Sequence, residues 1–140
     1  MTFDDVDAFV RTLGPVSLGV WWNNPTWQVG GRAIAWQRPL SKADRARLEA
    51  AQASVPEGPL LAVQVESLDE KEALLSLGLP GVFTISHFDG VAAVLIELRR
   101  ARTRDVQRVV RRAYRHAEAL GPKRAVKRTT PRRRPRARSK

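Results

Sequence analysis

The sequence predicts one small α+β domain followed by a basic tail, and three observations carry that reading. Apolar residues recur at helical spacing in several segments, with runs rich in Val, Ile and Trp between them. Two glycine-containing dipeptides, Gly30-Gly31 and Asp89-Gly90, sit where tight hairpin turns would join such runs. Charge is segregated along the 140 residues. Seven Lys or Arg face twelve Asp or Glu up to Leu98, eight face two from Arg99 to Leu120, and ten face none from Gly121 to Lys140. The net charge of +11 thus describes an appendage on an acidic body, with residues 1–120 as the domain and 121–140 as the tail.

Thr2 caps a first helix, and Asp4 and Asp5 fall in its first turn, where they complement the helix dipole. Phe3, Val6, Phe9, Val10 and Leu13 mark its apolar face, and Gly14-Pro15 ends it. Ser17 to Trp22, Thr26 to Val29 and Arg32 to Arg38 read as a meander of three strands. All four tryptophans lie between Trp21 and Trp36, which places the expected core there. Ser41 with Asp44 three residues on predicts a helix to about Ser54, closed by Pro56-Glu57-Gly58-Pro59. Leu61, Val63 and Val65 alternate as a half-buried strand.

Ser67 with Glu70 starts a further helix carrying Leu74, Leu75 and Leu77, which stops at Gly78 and Pro80. Within it, Asp69-Glu70-Lys71-Glu72 reads as a solvated first turn. Val82 to His87 and Val91 to Leu98 are expected to form a hairpin through Asp89-Gly90. A last helix spans about Thr103 to Leu120 and ends at Gly121-Pro122. Beyond it, prolines and basic or hydroxyl side chains leave nothing to bury, so the tail is expected to be disordered alone.

The absence of cysteine excludes a disulfide scaffold, thiolate metal sites and cysteine catalysis. The first residues are acidic where a signal peptide would be basic, and no apolar run approaches the ~20 residues that span a bilayer. The expectation is a cytoplasmic protein without a membrane partner.

The stretches TWQVGGRAIAW (Thr26–Trp36), RPLSKAD (Arg38–Asp44), GPLLAVQVESLDEKEALL (Gly58–Leu75), VFTISHFDGVAAVLIEL (Val82–Leu98) and PKRAV (Pro122–Val126) together resemble the MmcQ/YjbR family. The resemblance implies a compact α+β fold with a curved antiparallel sheet. It also implies DNA binding of a double-wing kind, in which β-hairpins contact the duplex. The chain departs from the family pattern in two places. Ser86-His87-Phe88-Asp89-Gly90-Val91-Ala92 stands where relatives often have Pro-His-Tyr-Asp-Gly-Tyr-Pro, and Lys127 to Lys140 is an addition.

The binding candidates follow from charge. On a wheel of about 100° per residue, Val106, Val109, Val110, Ala113, Ala117 and Leu120 share one side of the last helix. Arg104, Arg108, Arg111, Arg112 and Arg115 share the other, with only Asp105 and Glu118 near them in sequence. The tail adds Lys123, Arg124, Lys127, Arg128, Arg132, Arg133, Arg134, Arg136, Arg138 and Lys140. Arg132 to Arg136 resembles an AT-hook core, with Arg133 in place of its glycine. Arg32, after the Gly30-Gly31 turn, is a weaker phosphate candidate.

The pattern points to double-stranded DNA bound through its phosphates, largely without sequence preference, at the nucleoid. RNA, the ribosome or an acidic protein presents the same negative charge and stays open. Trp22, Trp27, His87 and Asp89 are candidates for a small-ligand pocket. The two histidines are not a spaced metal pair, and no nucleophile–base pair, phosphate loop or dinucleotide fingerprint occurs, so neither enzyme activity, metal nor cofactor is expected.

Overall fold

A computed structural model describes residues 1–123 of the chain. Its elements run α1 (Phe3–Leu13), β1 (Ser17–Trp21), β2 (Asn24–Val29), β3 (Arg32–Gln37), α2 (Lys42–Ala50), β4 (Leu60–Gln64), α3 (Leu68–Ser76), β5 (Val82–Phe83), β6 (Ala93–Glu97) and α4 (Thr103–Leu120). The expected α+β class holds. The six strands form one sheet in the order β1-β2-β3-β4-β6-β5, every neighbouring pair antiparallel.

Caps expected from sequence set two helix starts. Thr2 and Asp5 exchange hydrogen bonds at α1, as Ser41 and Asp44 do at α2. At α3 the Ser67 hydroxyl accepts from the Glu70 amide, while the Glu70 carboxylate turns away to α4. The β2–β3 turn forms at Gly30-Gly31, with φ of 58° and 80°, values that glycine adopts without a Cβ penalty.

The sheet buries both faces at its centre. Leu61 and Val63 of β4 and Val94 and Ile96 of β6 join Trp27, Ile34, α1 residues Val6 and Val10, and α4 residues Val106, Val109 and Val110 in the main core. The alternate residues Ala62, Ala93 and Leu95 face the opposite way, against Ile85 and Phe88, with Trp36, Leu40 and Leu48 packed beside them. Tyr114 completes the main core, buried with its hydroxyl donating to the Pro15 carbonyl at 2.9 Å.

Four expectations change. The tryptophans do not share a core. Trp27 is buried and Trp36 is half-buried, but Trp21 and Trp22 are exposed on the edge hairpin. Leu120 is exposed, one turn too far along α4 to reach the sheet. Asp89-Gly90 is not a tight hairpin. β5 has only two residues, and Ser86–Phe88 form a 3₁₀ turn that carries the chain back to β6.

Finally, Lys71 is buried rather than solvated. Its Nζ donates to the carbonyls of Phe88 at 2.6 Å and Val91 at 2.8 Å, pinning this loop. Each carbonyl also accepts a backbone amide, Phe88 from Val91 and Val91 from Ala93, both at 2.9 Å, so the ammonium reinforces a turn that already closes on itself.

Candidate nucleic-acid interface

α4 is 18 residues long, about 27 Å at 1.5 Å per residue. At its start the Arg102 Nε donates to the buried carboxylate of Asp105 at 2.8 Å. One face, Val106, Val109, Val110, Ala113, Tyr114 and Ala117, is buried. Arg104, Arg108, Arg111, Arg112 and Arg115 are all exposed on the other, as the wheel predicts.

The five differ in what they touch. Arg112 Nη2 lies 3.0 Å from Glu70 Oε2 and 3.5 Å from Glu66 Oε1, so α3 and the link that precedes it supply two acids that helical spacing could not reveal. Arg115 pairs with Glu118 at 3.1 Å, an exposed contact worth at most about 1 kcal/mol and easily exchanged for a phosphate. The Arg111 guanidinium stacks over Phe9 of α1 at 5.4 Å, which leaves its charge uncompensated. Among the described residues Arg104, Arg108 and Arg111 make no ion pair. Arg104, Arg108, Arg111 and Arg115 stand at helical intervals of four, three and four residues, one cationic stripe about 16 Å long.

The stripe is joined to the body at its far end. Gly121, Pro122 and Lys123 lie against the β2–β3 turn rather than starting a free tail. The Lys123 amide donates to Gly30 O at 2.7 Å, and Arg32 Nε donates to Gly121 O at 3.0 Å. Arg32 therefore holds, through its Nε, the carbonyl that follows α4. Gly30 is needed twice over, because a Cβ there would lie 3.1 Å from Pro122 Cα and its φ is positive. The Lys123 ammonium is 6.0 Å from the Trp21 ring. Arg124, Lys127, Arg128, Arg132, Arg133, Arg134, Arg136, Arg138 and Lys140, with the expected disorder, fall outside the described residues.

The four pocket candidates do not meet. Trp27 is in the main core, where its Nε1 donates to Asp7 Oδ1 at 2.9 Å. Arg11, then this indole, holds the Asp7 carboxyl below the ordinary value. His87 lies on the opposite side of the sheet, 63% exposed, with Nδ1 3.7 Å from Asp44 Oδ1. Trp22 is at the outer edge and Asp89 is exposed in the loop.

Burial pushes the Asp44 carboxyl up. Hydrogen bonds from the Ser41 amide and hydroxyl and from Arg38 outweigh that, and leave it below the ordinary carboxylate value. The structure instead has a cavity of about 190 Å³ between α3 and α4. It is lined by side chains such as Leu74 and Val109, with Leu77 at its exposed rim beside Arg108 and Arg112. Among the described residues no three His, Asp or Glu side chains gather as metal ligands, and no helix is long and apolar enough to cross a membrane.

Fold and site together define a small α+β protein that presents an arginine-faced helix beside an otherwise acidic sheet domain. The chain is similar to a Mycobacterium bovis protein and a Mycobacterium tuberculosis protein, both named as uncharacterized. Each is 38% identical over 114 residues, covering 81% of this chain and 85% of the relative. The chain belongs to the family of these mycobacterial proteins. No family model matches it, and no solved structure does.

Proposed function

We propose that the chain is a non-enzymatic DNA-binding protein of the MmcQ/YjbR type, acting in the cytoplasm at the nucleoid. It binds duplex phosphates largely without regard to sequence. The observation that carries this reading is the α4 stripe. Three of its guanidinium groups lack an acidic partner among the described residues, and it leads through Lys123 into nine further Lys and Arg of residues 124–140 with no acid among them. A solvating helix face would mix signs to relieve the repulsion between like charges four residues apart, and this stripe does not. Each phosphate it neutralises would release counterions, so affinity comes from the backbone of the nucleic acid rather than from base edges.

The supporting geometry favours α4 and the arm over hairpin wings. The Asp89-Gly90 loop presents an acid and is tied down by Lys71, and the Gly30-Gly31 turn is covered by residues 121–123. A competition experiment at fixed salt tests the partner class. Duplex DNA is expected to displace a labelled duplex at least as well as structured RNA or single strands do. Preferential displacement by structured RNA would move the reading to an RNA-binding module.

A further inference from the structure

No charged side chain occurs between Arg11 and Arg32, although charge is dense in the rest of the chain. That stretch folds into the β1–β2 hairpin, and β1 is an edge of the sheet. The two edges differ. The far edge, β5, has two residues, a length too short to template another strand. β1 has five, Ser17-Leu18-Gly19-Val20-Trp21, without a Lys, a Pro or a bulge to protect it. Leu18 is 52% exposed, Val20 69%, Trp21 39% and Trp22 90%.

Trp22 and Asn23 form the two-residue turn, both at positive φ (55° and 63°). A tryptophan held there carries backbone strain that its own nearly bare ring does not repay. With this turn the pairs Trp21–Asn24, Gly19–Thr26 and Ser17–Gln28 face β2, so the amides and carbonyls of Leu18 and Val20 point outward, without a partner among the described residues.

We propose that β1 is a self-association edge: two copies pair their β1 strands antiparallel about a two-fold axis and join their sheets. The strand suits a second copy. A two-fold centred on Gly19 sets Leu18 opposite Val20, Trp21 opposite Ser17 and Trp22 opposite Val16. All these contacts are uncharged, so none repels its own symmetry mate. A strand built for a different partner could use charge to select it, whereas a self-pairing strand must avoid like charge on the axis. The four exposed side chains offer on the order of 400 Å² of apolar surface per chain, about half of a standard interface's share per partner before the backbone is counted. Pairing would also bring the two Lys123 residues, each beside a Trp21 ring, to the same edge.

This inference does not rest on the polyanion reading and is tested without nucleic acid. Sedimentation of the full chain is measured from about 1 to about 500 µM, a range that covers weak to moderate self-association. The expected result is a shift from one chain's mass to two. The shift should persist or strengthen when salt rises from about 0.1 to about 0.5 M, because the contact is apolar and salt screens repulsion between the arms.

Val20→Lys and Leu18→Lys place an ammonium on the edge and should raise the dissociation constant at least tenfold. Leu77→Lys, equally exposed but on the turn after α3, should leave it unchanged. Circular dichroism confirms that each variant folds. A chain that stays monomeric throughout, or a dimer indifferent to Val20→Lys and Leu18→Lys, would overturn the proposal. So would monomers whose exposed tryptophans are quenched by single-stranded oligonucleotide, which would make the hairpin a base-stacking surface instead.

Discussion

The Gly30-Gly31 and Asp89-Gly90 dipeptides look alike as sequence and end in opposite structures. Gly30-Gly31 closes a tight hairpin and becomes the seat for Pro122 and Lys123, so it anchors the root of the basic arm. Asp89-Gly90 lies in a longer loop drawn onto the body by a buried lysine, and it presents an acid. A turn dipeptide therefore sets where the chain can reverse. What packs against it decides whether a hairpin results. Here the difference also separates the side of the molecule built around the cationic segment from the side that is not.

The largest expected effect tests the lysine tether. Lys71→Met keeps the volume but leaves the Phe88 and Val91 carbonyls without their charged donor. It should cost on the order of 3 kcal/mol in urea unfolding and leave binding to duplex DNA unchanged. Next is the arm's seat. Gly30→Val forces a β-branched residue into positive φ and against Pro122, and should cost about 2 kcal/mol. Hydrogen exchange should rise at the Lys123 amide first, because that bond closes on Gly30.

Asp44, across the sheet beside His87, supplies a pH test on the loop side. Its carboxyl is held below the ordinary value in the fold, so its contribution to stability is present above about pH 4 and is lost as pH falls below that. Asp44→Asn should lower stability at pH 7 and flatten the acid limb below about pH 4. The smallest effect separates two arginines one turn apart. Arg108→Gln should leave stability unchanged and reduce the log–log salt slope of DNA binding by about 0.9. Arg112→Gln should barely move the slope, because Glu66 and Glu70 already hold that guanidinium.

Much of the fold was legible. Thr2 and Ser41 act locally, reaching amides three residues on, so their caps could be read from spacing. The α4 faces followed from periodicity in the same way. What was hidden depends on contacts distant in sequence. Glu66 and Glu70 reach Arg112 across more than forty residues, Arg32 reaches Gly121 across 89, and Tyr114 reaches Pro15 across 99. The Lys71 tether was unreadable for a further reason. A lysine in an acidic helix start is ordinarily solvated, and the carbonyls it binds lie in a loop 17 and 20 residues further along the chain. Trp21 and Trp22 misled because aromatic residues in strands usually mark a core, and nothing local to them says that β1 is an edge.

The central claim is that affinity for nucleic acid comes from the cationic segment beginning at α4. The most direct measurement is duplex binding between about 50 and about 200 mM salt. It compares the full chain with a full-length variant in which the nine Lys and Arg of residues 124–140 are changed to Gln. The expected result is a steep slope for the native chain, and in the variant a slope shallower by several units with a residual set by Arg104, Arg108, Arg111 and Arg115. Equal affinity and equal slope for the two proteins would contradict it.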